Sequence, residues 1–250
     1  DDTSIGIADD AERIEFDGSG DISVLGANLG IGTSSPQQLL TAHKTTDFAT
    51  TSSASAQDNL FLTSATSSAS GAYGASIGFS RVEYQDRRVA SISAVQGTSD
   101  PDQVGLAFHT HPSATSGDVI VEAMRINYDG SVGIGTASPS LQQISNTTVL
   151  NVHNSTANTR SILELSSGTN SDETHVGSVF FSNSENADGS NMDADGKLIS
   201  AISVLTETSD SNGGDDSGGH MAIFTKPEAG SLTERMRINS AGNVSIGGDL

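Results

Sequence analysis

The sequence predicts an all-β chain built as tandem antiparallel β modules. Three observations predict it. Apolar residues recur with period two in short runs, no stretch of about 11 residues keeps helical spacing between caps, and the chain repeats itself. The resulting divisions are an N-terminal strand and shaft region over residues 1–36, a first β module over 37–139 and a second over 140–250.

Taken in order, Glu12-Arg13-Ile14-Glu15-Phe16 opens a pattern that passes a Gly-rich turn and reaches Leu29-Gly30-Ile31-Gly32-Thr33, with Pro36 beyond it. Residues 122–136 repeat it more fully as E-A-M-R-I-N-Y-D-G-S-V-G-I-G-T, followed by Pro139. Residues 234–247 repeat it again as E-R-M-R-I-N-S-A-G-N-V-S-I-G. Between these landmarks Leu60-Phe61-Leu62 aligns with Leu163-Glu164-Leu165, and Ser76 to Ser80 with Ser178 to Ser182. Ala90 to Val95 resembles Ser200 to Leu205, and Leu106 to Pro112 matches Met221 to Pro227. The offset drifts because insertions fall in the polar loops between matching segments. A disordered polar tract keeps no such register.

Each matched segment reads as a strand. Leu106, Phe108 and Thr110 share one face, while Ala107, His109 and His111 share the other. Met124 and Ile126 likewise oppose Arg125 and Asn127. Tyr128-Asp129-Gly130 supplies a turn in which Gly accepts positive φ, and Val132 and Ile134 return as the next strand. Ala241-Gly242-Asn243 plays that part between Ile238 and Val244.

Composition poses a difficulty for such modules. Ser, Thr and Gly number 40, 23 and 27 of 250 residues, hydrophobic residues are 34% and aromatics 4%, so each strand has only two or three large apolar side chains to bury. One module makes a poor core, against an ordering cost of about 1–2 kcal/mol per residue. Several copies around an axis supply the missing burial and cover the sheet edges. Gly133 and Gly135 point the same way, because they leave a strand face bare for another backbone to approach; the alternative is that they only ease a bend.

The charge excludes other classes. A formal charge of −20, from 31 acidic and 11 basic residues, offers no counterion-releasing surface to nucleic acid and is repelled by anionic membranes. No run approaches 18 apolar residues, so no membrane insertion is expected. Without Cys there is no disulfide framework, zinc-thiolate site or thiol nucleophile. The opening Asp1-Asp2, with neither Met nor a signal pattern, suggests a fragment or processed product.

The stretch from Met124-Arg125-Ile126 to Gly133-Ile134-Gly135-Thr136 and Pro139 resembles the repeat of bacteriophage tail fibre and tail-spike-like proteins, often those ending in an endosialidase-type intramolecular chaperone domain. Met236-Arg237-Ile238 to Ile246-Gly247 matches it again, with Ser245 in place of Gly; the copy from Ile14 to Gly32 departs more. The resemblance implies a parallel homotrimer in which β-rich modules alternate with short intertwined β shaft segments. Its shaft and trimer contacts would fall on Gly30, Ile31, Gly32, Met124, Ile126, Val132, Gly133, Ile134, Gly135, Met236, Ile238, Val244, Ile246 and Gly247. It implies a virion location and a structural, adhesive role in attachment to the host surface. The implied partners are other tail fibre or baseplate proteins and a host glycan or protein. Because the chain stops at Leu250 in a shaft-like strand, a chaperone domain is expected downstream. A carbohydrate-depolymerising spike and a bacterial surface adhesin or extracellular filament are the alternatives.

Candidate sites are few. His109 and His111 on one strand face would offer six imidazoles from three chains to one metal ion, or else form a solvated or interchain-packed pair. Asn191, Asp193 and Asp195 before Gly196 fit the first half of a calcium loop, but Ile202 occupies the position of the bidentate Glu, so a polar turn is the alternative. Arg87-Arg88 is read as offsetting nearby acids, and Tyr128, in a turn, as the candidate glycan contact. No cofactor is expected beyond such ions. The chain has no GxSxG elbow, HExxH or Walker loop, and a carboxylate pair drawn from 31 acids identifies nothing, so no catalysis is expected.

Overall fold

A computed structural model of the chain describes residues 3–7, 10–16, 22–24, 28–46, 48, 50–51, 58–64, 69–81, 83, 87–115, 117–139, 147–168, 171–183, 198–207, 218–228 and 230–247. All the regular elements among them are strands, so the chain is all-β, and its sheets are mainly antiparallel. It divides into two compact units, residues 1–160 and 161–250.

The first unit opens with an antiparallel meander of β1 (Thr3–Ile7), β2 (Asp10–Phe16) and β3 (Ile22–Val24). A parallel pair follows, β4 (Leu29–Ile31) with β5 (Leu40–Ala42). The main sheet is a five-strand meander of β6 (Tyr73–Phe79), β7 (Ala90–Gln96), β8 (Val104–Thr110), β9 (Val121–Ile126) and β10 (Val132–Ile134). It is extended by β11 (Leu150–Val152), which lies parallel to β10. The second unit repeats the meander as β12 (His175–Ser182), β13 (Leu198–Thr206), β14 (Gly219–Thr225), β15 (Thr233–Ile238) and β16 (Val244–Ile246).

The predicted turns form as their residues require. Gly130 and Gly242 take φ of 83° and 81°. Asn127 N–H donates to Ser131 O at 2.8 Å in the first hairpin, and Asn239 N–H to Asn243 O at 3.0 Å in the second. The β10–β11 parallel pair lies beyond the expected meander. Residues 150–152 form only a three-residue strand, too short for period two to declare it.

Each main sheet is one layer. Among the described residues the fully buried hydrophobic side chains are Val95, Ala107, Ala201, Leu205 and Ala222. Three of these five are alanines, so the described residues of neither unit form a buried core of large side chains.

Candidate self-assembly surface

The strand register places most of the large apolar side chains on one face of each sheet, although in the second unit Phe180 and Phe224 stand on the other, beside Ala201. In the first unit Ile77, Ile92, Phe108, Met124, Ile134 and Val152 stand opposite one another across six strands. The next row is Ala94, Leu106, Ile126, Val132 and Leu150. The second unit has the same rows, Val179, Ile202, Ile223, Met236 and Ile246, then Val204, Met221, Ile238 and Val244. These side chains lie partly or largely open: Ile77 is 46% exposed, Leu106 45%, Val179 45% and Ile246 82%. Period two gathers them, and a single layer leaves them uncovered. Contiguous apolar faces of this kind mark contact surfaces.

In the first unit the opposite face is closed by polar side chains lying over small ones. Glu122 and Arg125 are three residues apart, a spacing that sets side chains on opposite faces of a regular strand. Here Phe108 pairs with Met124 but His109 with Glu122, and this bulge brings Glu122 round to the side of Arg125. Arg125 Nε and Nη2 then donate to the two Glu122 oxygens, both at 2.7 Å, with both side chains 8% exposed. Tyr73 Oη donates to Glu122 at 2.8 Å, His109 packs edge-on to Tyr73, and its Nδ1 lies 3.2 Å from Ser91 Oγ. Buried Ser93 and Ala107 share this face with the network. Burial pushes the Glu122 pKa up, but hydrogen bonds from Arg125 and Tyr73 outweigh it and hold it below the usual carboxylate range. Burial and the Glu122 contact raise the Tyr73 phenol.

The second unit keeps the bulge and the pair. Ile223 opposes Met236 and Phe224 opposes Glu234, so Arg237 Nε and Nη2 reach Glu234 at 2.8 and 2.7 Å. This pair is more open, at 29% and 31%, and Arg237 also donates to Glu173 at 2.6 Å. Its hydrogen bonds lower the Glu234 pKa and raise that of Arg237. His220 is buried beside Glu173, 3.5 Å from Nε2 to the carboxylate, with no hydrogen bond at either ring nitrogen.

The Gly-Ile-Gly-Thr motif makes the same turn twice. A Cβ on Gly30 or Gly133 would overlap the carbonyl oxygen of Thr33 or Thr136 and press on Pro36 or Pro139. Gly32 and Gly135 have φ of 77° and 74°, and a Cβ there would overlap the carbonyl of His43 or His153. Within a single chain the backbone nearest these glycines is the chain's own. That turn carries it to the parallel strand, where His43 N–H donates to Ile31 O at 2.8 Å and His153 N–H to Ile134 O at 2.9 Å. Ile31, in β4, is 58% exposed. In the third copy nothing lies within 4 Å of a Cβ on Gly247, which follows β16, and Ser245 stands at the position of Gly133. Among the described residues no such overlap occurs at Gly247 and no strand lies parallel to β16.

The remaining predicted residues separate. His109 belongs to the buried network, whereas His111 lies past the end of β8, its Nε2 3.1 Å from Asp118 O. His111 joins Arg87, Arg88, Ser113 and Asp118 around a cleft of about 500 Å³. Among the described residues no three His, Cys, Asp or Glu side chains are grouped to hold a metal ion. Asn191, Asp193 and Asp195 lie outside the described residues. Tyr128 is 41% exposed, and its ring covers the bare backbone of Gly97. The bulged Glu-x-x-Arg pair is the feature that strand alternation missed; its recurrence at residues 122–125 and 234–237 was the available signal.

No helix among the described residues is long and apolar enough to cross a membrane. No protein-family model matches the chain, and no curated protein matches it. Among solved structures it is similar to the carboxy-terminal domain of the bacteriophage T5 L-shaped tail fibre, at 9% identity and a TM-score of 0.34, over 83% of this chain and 91% of that one. It is also similar to that domain with its intra-molecular chaperone domain, at 10% identity and a TM-score of 0.30, over 75% of this chain and 56% of that one. At these TM-scores neither match establishes a shared fold.

Proposed function

We propose that this chain is a structural and adhesive section of a bacteriophage tail fibre, a parallel homotrimer that catalyses nothing. The observation that carries this reading is the pair of apolar sheet faces, one per unit and in matching register, left uncovered in a single chain. Fully burying one Val, Leu, Ile, Phe or Met side chain is worth about 1.5–3 kcal/mol, so association gives each unit the core it lacks alone. The Met-Arg-Ile to Gly-Ile-Gly-Thr repeat supports the tail fibre assignment. In that setting the fibre is part of the virion, joins other tail fibre or baseplate proteins, and holds or forms a contact with a host glycan or protein.

Native mass measurement tests the reading. The intact protein is expected at three times the chain mass, and Ile126→Asp with Ile238→Asp, one charge on each apolar face, is expected to return it to single chains. A wild-type protein that stays a single chain at micromolar concentration overturns it.

A further inference from the structure

Two segments have strand sequences but no ladder. Leu60-Phe61-Leu62 and Leu163-Glu164-Leu165 are counterparts in the internal repeat. Residues 61–64 and 159–168 run without turn or bend, as extended chain does. Leu60 is 66% exposed, Phe61 63%, Ile162 70% and Leu163 68%, each higher than most of the sheet faces. No hydrogen bond among the described residues uses a backbone N–H or C=O of residues 60–64 or 160–168. Each segment touches its own unit's end strand over the sheet face, not along the strand's hydrogen-bonding edge. Ser64 Oγ is 3.8 Å from a Cβ built on Gly74 of β6, and Leu165 Cβ is 2.7 Å from one built on Gly177 of β12. Among the described residues both end strands pair on one side only, which leaves their outer edges open as well.

We propose that these segments are strands completed by a second copy of this chain, each laid along the open outer edge of the neighbour's β6 or β12. The inference rests on the self-association read above and says where the copies interlock. Backbone groups in an extended apolar segment need partners once water is displaced, and an open sheet edge supplies donors and acceptors at the strand repeat. Charge favours this location. Residues 59–64 carry no charged side chain and 161–168 only Glu164, in a chain of net charge −20. Recurrence of the arrangement in both units is what one interlocking mode, used twice, requires.

Hydrogen exchange on the intact protein, followed by mass spectrometry beside a native mass measurement, tests it. Amides of residues 160–168 are expected to exchange about 100-fold or more slowly than those of open loops. Leu163→Pro, which removes one donor, is expected to reduce the trimer fraction far more than Leu163→Ala. Fast exchange at 160–168 in a protein of three-chain mass overturns this proposal and leaves the trimer standing. A single-chain mass overturns both. Equal effects of Pro and Ala would show that the contact is side-chain packing without a ladder, which also overturns it.

Discussion

At Glu122 and Arg125 one bulged residue decides the character of a whole sheet face. Ala123 takes up the extra position, and two side chains that alternation would separate meet in a bidentate pair. Removing one partner of a buried pair typically costs about 3–5 kcal/mol, whereas an open pair contributes about 0–1 kcal/mol. Glu122→Gln is therefore expected to destabilise the first unit several-fold more than Glu234→Gln destabilises the second, measured by urea unfolding. The pH dependence has a definite sign. Because the folded Glu122 pKa is depressed, its contribution is present above the unfolded carboxylate value and is lost as pH falls through the folded one. Glu122→Gln should lack that acid-side loss.

Among the elements, the Gly-Ile-Gly-Thr turn shows how far the sequence could be read and where it stopped. Recurring glycines announce a backbone close by, but nothing in residues 132–136 says that it is the chain's own Thr136 and His153. The faces were readable from Leu106 and Phe108 because alternation needs only local sequence. The bulges at Glu122 and Glu234 were not, because they depend on the register of the strand opposite. His109 and His111 separated for a related reason: β8 ends at Thr110, so alternation no longer governs His111. The left-handed backbone at Gly135 costs a residue with a Cβ about 1–2 kcal/mol, before its overlap with His153. Gly135→Ala is expected to lower the unfolding midpoint clearly, and Gly247→Ala, in open space, to leave it nearly unchanged.

For the whole molecule the controlling quantity is what a single chain leaves uncovered. Large apolar residues line one face of both sheets while, among the described residues, the buried hydrophobic side chains are mostly alanine, so the proposed assembly ties stability to association. The melting temperature is expected to rise with protein concentration. It is also expected to rise as salt screens copies of a −20 chain, the Debye length falling from about 10 Å at 0.1 M to about 3 Å at 1 M. A scan over both variables checks this; a melting temperature independent of concentration would contradict it. The meanders carry one last consequence, a matter of parity. Each has five strands, and an odd number of reversals-plus-one leaves the last strand pointing the way the first one did. In the first unit the parallel β11 keeps that heading. A unit of this kind therefore takes the chain in and hands it on with the same strand heading, so its first and last strands never oppose each other.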